Sequence, residues 1–131
     1  MNVLADTSAY SAFMAGHAGV KRVFQEADAI YLNAIILGEL QAGFLRGRRR
    51  KKNEEELQAF LASPRVDLVD VTDATAERYA VILDFLWRGG LPVPTNDIWI
   101  AASAMEHGFK LITTDAHYTK VPQIVSECFD V

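Results

Sequence analysis

The feature that most constrains this chain is a rhythm. Short apolar runs alternate with stretches whose apolar residues recur at helical spacing. "NVLA" (2–5), "AIYL" (29–32), "VDLVDV" (66–71), "FKLIT" (109–113) and a segment near "QIVSECFDV" (123–131) read as strands. Between them, "TSAYSAFMAG" makes a helical turn closed by Gly16, and Val20, Val23, Phe24 and Ala27 repeat at i, i+3, i+4, i+7. Asn33 is placed to cap "AIILGELQAGFLRG", and Asn53 with Glu56 has the pattern of a capping box ahead of Leu57, Phe60 and Leu61, which Ser63 and Pro64 close. Thr72 caps a long helix whose Ala76, Tyr79, Ala80, Leu83, Leu86 and Trp87 share one face up to Gly89 and Gly90. Pro92 and Pro94 hold "LPVP" in a loop, and the helix in 94–108 stops at Gly108. Strands separated by helices of about ten residues or more form βαβ units, so the expected fold is α/β with a mostly parallel sheet covered on both faces.

Half of the 131 residues are hydrophobic, which suits one domain spanning 1–131 with its own core. The single Cys128 excludes an internal disulfide and is expected to pack as a small apolar residue in a reducing compartment. The first residues lack a basic segment and Asp6 interrupts their apolar run, so no signal peptide is expected. No apolar stretch approaches ~20 residues, so no membrane span is expected either. Together these point to a soluble, cytoplasmic protein.

The net charge of -4 argues against nonspecific binding to nucleic acid, but the distribution is uneven. Six of the thirteen basic residues, Arg46, Arg48, Arg49, Arg50, Lys51 and Lys52, fall in "RGRRRKK", leaving seven against all seventeen acids. That run reads either as a solvated turn or as a patch that contacts phosphate.

Ligands of open α/β sheets gather at the carboxyl ends of the strands. Asp6 follows the first strand, Asp115 follows "KLITT", and Asp97 opens a helix at the same rim. Glu39 lies beside the apolar stripe of Ile36, Leu40, Gly43 and Phe44. Each acid has a plain structural explanation as well: Asp6 and Asp97 as helix caps, Asp115 as a turn residue, Glu39 as the partner of a core arginine. None of these explains why four acids share one rim. Two carboxylates ~4 Å apart repel by ~4 kcal/mol at an effective dielectric of ~20, so some take up protons unless a cation is present. Oxygen donors with no histidine or thiolate partner select hard ions, Mg²⁺ or Mn²⁺, and such an ion supports phosphodiester hydrolysis.

In order and spacing, "LADTS" (4–8), "GELQAG" (38–43), "NDIWIAASAMEHG" (96–108) and "LITTD" (111–115) resemble the motifs of PIN-domain ribonucleases, above all the VapC toxins of prokaryotic toxin–antitoxin pairs. The resemblance covers essentially the whole chain. It implies a three-layer α/β/α domain and an endoribonuclease dependent on Mg²⁺ or Mn²⁺. Asp6, Glu39, Asp97 and Asp115 match the acidic quartet without departure, with Asp6, Asp97 and Asp115 as metal ligands and Glu39 acting on the attacking water. Ser8, Thr113 and Asn96 take supporting roles. A 5′-phosphate product, a homodimer and a small VapB-type antitoxin are further implications. The basic run is no part of the signature and stays open to RNA or antitoxin contact.

Three rivals remain. A catalytically silent scaffold or antitoxin-binding module would be expected to have lost acids. A haloacid-dehalogenase phosphatase needs a second Asp where Ser8 stands, and a receiver domain needs paired N-terminal acids. His17, His107 and His117 lack metal-ligand spacing and are expected at the surface or at helix ends, His117 being nearest to an acid. Trp87, Trp99 and Tyr79 are expected in the core or at a dimer contact.

Overall fold

The five apolar runs become five strands, all parallel. The computed structural model describes residues 1–131. In it β1 (Asn2–Ala5), β2 (Ala29–Asn33), β3 (Val66–Val69), β4 (Lys110–Thr113) and β5 (Val125–Cys128) form one sheet in the order β3-β2-β1-β4-β5. The register sets Leu4 against Tyr31 on one side and Leu111 on the other. Parallel neighbours require crossovers. These are α1 (Thr7–Met14), α2 (Ala18–Glu26), α3 (Ala34–Arg46), α4 (Arg50–Leu61), α5 (Asp73–Gly89) and α6 (Thr95–His107), and a 3-10 helix (Ala116–Lys120) follows β4. The result is the three-layer α/β/α arrangement. No helix is long and apolar enough to cross a membrane.

The central strands read as unbroken apolar runs because both faces of the sheet are covered. Leu4, Ala5, Leu32, Leu111 and Ile112 are fully buried, and each leucine or isoleucine among them stabilises the fold by ~1.5 to 3 kcal/mol relative to exposure. Several helix ends form as their residues dictate. Asn33 caps α3 by accepting from the Ile36 N–H at 3.0 Å, and its buried amide donates to Ser103 Oγ of α6 at 2.9 Å. Thr72 and Thr75 make a reciprocal capping box on α5. Gly108 ends α6 at φ 69°, a left-handed geometry that favours glycine.

Four expectations need correcting. The Asn53–Glu56 pair is not a cap, because α4 already starts at Arg50, with no side-chain cap on its first turn. The predicted face of α5 holds at Leu86, which is buried, and at Tyr79 and Leu83, which pack against the core, but Thr75 and Ile82 are buried as well, Ala80 is exposed and Trp87, 73% exposed, is not in the core. Gly43 lies on the exposed side of α3, and Cys128, at the end of an edge strand, is exposed rather than packed.

Candidate active site

The chain runs from β1 outward to β3 and then returns to place β4 on the other flank of β1. The strand order reverses there, so the carboxyl ends of β1 and β4 frame the crevice where such sheets take ligands. Asp6 follows β1 directly and is 4% exposed. Its Oδ1 accepts from Ser8 Oγ at 2.7 Å and from the Ala9 N–H at 2.8 Å, and its Oδ2 accepts from Thr113 Oγ1 at 2.6 Å. The Ala9 contact caps α1, so the capping role anticipated for Asp6 is present alongside any other. Ser8 Oγ accepts from the Thr114 N–H at 2.9 Å and Thr113 Oγ1 from the Asp115 N–H at 2.9 Å, which ties the β1 end to the β4 end.

Asp97 is the third residue of α6 and does not cap it; the capping position is Pro94. Its carboxylate turns to the 3-10 helix instead. Oδ2 lies 2.9 Å from His117 Nδ1, and Oδ1 accepts from the Tyr118 hydroxyl at 3.3 Å. The same His117 nitrogen is 3.1 Å from Asp115 Oδ1. Ligating atoms of Asp97, Asp115 and His117 all fall within 4.8 Å of one another. With both carboxylates ionised they can only accept, so Nδ1 carries the proton and stands between two negative charges.

Glu39 comes in from α3. Its Oε1 accepts from Thr7 Oγ1 at 2.5 Å and its Oε2 from Asn96 Nδ2 at 3.3 Å. Thr7 is the neighbour of Asp6 and Asn96 the neighbour of Asp97, so Glu39 is tethered beside two other acids. No core arginine pairs with it. The Asn33–Ser103 bond sets the register between the helices that carry Glu39 and Asp97.

Burial pushes the Asp6 carboxyl above the usual aspartate range, against the lowering by its three hydrogen bonds, and the nearby Asp97 charge adds to the rise. Burial likewise raises Asp97, where the bond to His117 lowers and the Asp115 charge raises. Tyr118 is driven far upward, first by burial and then by the charges of Asp6, Asp97 and Glu39. Its hydroxyl therefore feels three of the four acids, and His117 touches the fourth.

The rim thus brings together Asp6, Glu39, Asp97 and Asp115, with Ser8, Asn96 and Thr113 bonded among them. It does not bring in the basic run. Arg46, Arg48, Arg49, Lys51 and Lys52 are exposed and make no side-chain hydrogen bond or ion pair within 4.0 Å, and Arg50 pairs only with Glu54. Sequence reasoning missed Thr7 and Tyr118. Thr7 sits inside the quoted "LADTS", but nothing local marks Tyr118. The expectation that the histidines stand apart from the acids is corrected at His117, whose ring lies between Asp97 and Asp115, whereas His17 does cap α2 as a helix-end residue. A separate surface groove, lined by Tyr79, Leu83, Leu86, Trp87, Leu91 and Ile98, holds no carboxylate.

Comparison with known proteins bears on this geometry. Residues 3–124 match the PIN domain. Ribonuclease VapC4 of Mycobacterium tuberculosis is 30% identical over 93 residues, 71% of this chain and 72% of that protein. Ribonuclease VapC2 of Rickettsia felis is 26% identical over 79% of this chain and 76% of its own length. Among solved structures, VapBC2 from Rickettsia felis, bound to a DNA fragment from its promoter, superposes with a TM-score of 0.85 at 22% identity, over 99% of this chain and 100% of that one. VapBC-5 from Mycobacterium tuberculosis gives 0.76 at 25% identity, over 99% and 98%. With the sequence match running over nearly its whole length, the chain is a member of the PIN-domain family.

Proposed function

We propose that this chain is an endoribonuclease dependent on Mg²⁺ or Mn²⁺, the toxin of a VapC-type pair that a small VapB-type antitoxin holds silent. The observation that carries the reading is the convergence of Asp6, Glu39, Asp97 and Asp115 around His117 and Tyr118 at the switch point of the sheet. The ribonuclease names of the relatives and the VapBC complexes among the structural neighbours support it. So does the cost of the arrangement: a scaffold that only docks a partner has no use for a desolvated aspartate beside another acid.

The donor set fits a hard divalent cation. Asp97 and Asp115 would hold it, with Asp6 completing the ligands directly or through water and His117 beside the first two acids. When bound, such an ion supplies an activated water and neutralises charge on the phosphoryl group. The protein's own part is positional. Thr113, Ser8 and the Ala9 N–H fix Asp6 in one rotamer. The Tyr118 hydroxyl orients Asp97, and Thr7 with Asn96 aims Glu39, which would orient the attacking water and take its proton. Hydrolysis by this route leaves a 5′-phosphate and a 3′-hydroxyl. By the same likeness the chain would work as a homodimer.

The test is incubation of the purified chain with a pool of tRNA and mRNA in Mg²⁺, Mn²⁺ or EDTA, with mapping of the cut ends. Cleavage leaving 5′-phosphates, abolished by EDTA, is expected. Cutting that persists in EDTA, or no cutting with either metal, would overturn the reading.

A further inference from the structure

The start of α4 carries a charge pattern that its own folding does not call for, whereas Arg46, in the last turn of α3, suits the negative end of that helix. Arg50, Lys51 and Lys52 occupy the first turn of α4, at the positive end of the helix dipole, and no side chain caps that end. Cations there oppose the dipole. Glu54 on the next turn takes Arg50, which leaves Arg46, Arg48, Arg49, Lys51 and Lys52 exposed without an acidic partner. A local rule broken without compensation inside the fold points to a partner outside it.

The helix that leads to this patch starts at the acids. Glu39 and Arg46 are seven residues apart on α3. Two helical turns therefore put them on one face, about 10.5 Å apart along the axis. Between them on that face lie Ala42 and Gly43, both exposed, and nothing stands within 4 Å of where a Gly43 Cβ would be. Between site and patch that face thus carries only small side chains, Ala42 and Gly43. Its length matches about three nucleotides of a stacked strand, at ~3.4 Å per phosphate. One helix is too narrow to span the successive grooves that duplex RNA recognition uses.

We propose that the face of α3 from Glu39 to Arg46, continued by the turn into α4, is the track on which the single-stranded flank of the RNA substrate lies, its phosphates paired with Arg46, Arg48, Arg49, Lys51 and Lys52. This rests on the nuclease reading of the rim and adds the substrate's path to it. Four carboxylates repel a polyanion, and the rest of the chain sets seven basic residues against seventeen acids. The hairpin is the surface whose sign matches RNA. The track carries no aromatic side chain, so binding there is electrostatic, steep in salt and indifferent to base identity.

The experiment measures binding of a fluorescent oligouridylate to the full chain in EDTA, where cleavage is off, as a function of salt. R46Q/R48Q/R49Q is compared with wild type and with K21Q/R22Q/R88Q, a control that removes the same charge from α2 and α5. Loss of three single-strand phosphate contacts reduces the slope of log K against log salt by about 2, and the control leaves it near the wild-type value. An unchanged slope in R46Q/R48Q/R49Q, an equal reduction in the control, or polyglutamate competing as well as RNA of the same charge would each overturn the track. Cleavage is scored separately in Mg²⁺. A wild type that binds with the expected slope but never cuts refutes the nuclease reading and leaves the track standing; a wild type that cuts while the triple variant binds and cuts equally well refutes the track alone.

Discussion

The two charged regions of this molecule are built in opposite ways. At the carboxyl edge of the sheet, acids as distant in sequence as Asp6 and Asp115 are drawn together and held by hydroxyls, an amide and an imidazole. At the α3–α4 turn, cations adjacent in sequence stand in water and, Arg50 apart, have no partner. Like charges crowd in both places. The rim offsets the crowding with fixed internal dipoles, whereas the turn relies on solvent. Fixed groups suit a task that needs position, such as holding an ion and aiming a water. Long, mobile, hydrated cations suit a partner that needs only charge, such as a phosphate backbone.

The sharpest way to break this contrast is to neutralise one member of each region. Asp97→Asn should lower RNA cleavage on the order of 10³-fold, since charge stabilisation by the ion is worth several kcal/mol. Glu39→Gln should cost on the order of 10²-fold or more by removing a proton acceptor. Single Gln substitutions at Arg48 or Arg49 should leave the rate at saturating RNA near wild type. If the basic residues mattered as much to that rate as the acids, the division of labour would be wrong.

A smaller effect is expected at Tyr118. Tyr118→Phe keeps the buried ring but removes the donor to Asp97. Removing a group that orients a metal ligand typically costs about tenfold or more in metal affinity, so Mn²⁺ affinity should fall about tenfold. Unaltered Mn²⁺ affinity would make Tyr118 a packing residue only.

The desolvation of Asp6 also predicts a pH trend. A carboxyl raised in the native state binds protons there more readily than in the unfolded chain. Between about pH 4, the ordinary aspartate value, and the raised native value, wild type therefore loses stability as pH rises. Asp6→Asn has no such proton to lose. In EDTA, the melting difference between variant and wild type should move in the variant's favour as pH rises through that window and then level off. Movement the other way would mean that hydrogen bonding outweighs burial at Asp6.

The smallest effect belongs to the basic turn. Lys51→Glu should raise stability by ~0.3 to 1 kcal/mol, because an anion replaces a cation at the positive end of α4. A loss of stability would show that Lys51 has a structural role on the hairpin.

Much of this contrast was legible in the sequence. The parallel sheet followed from apolar runs spaced by helices, and Asn33, Thr72 and Gly108 marked boundaries through short-range backbone chemistry. The four acids could be placed at one rim because each follows a strand or sits in the opening turns of a helix, positions that strand order turns into neighbours. Less legible was whatever depended on distant packing. Asn53 and Glu56 had the right spacing for a cap, yet α4 begins one turn earlier, so a local pattern identified a helix and misplaced its start. On α5 the periodicity placed Tyr79, Leu83 and Leu86 toward the core but not Ile82, which packing against α6 buries, and it put Ala80 and Trp87 on a face that the fold leaves exposed. Tyr118 escaped notice because its importance lies in an oxygen of α6, twenty-one residues back in the chain.

The central claim is that the rim acids form one cation site. Titration calorimetry of Mn²⁺ into the RNA-free wild-type chain and into Asp6→Asn, Asp97→Asn and Asp115→Asn tests it directly. Saturable Mn²⁺ binding by wild type, lost in Asp97→Asn and Asp115→Asn and weakened or lost in Asp6→Asn, is the result this account predicts. Equal binding by all four proteins, or none by wild type, would contradict it.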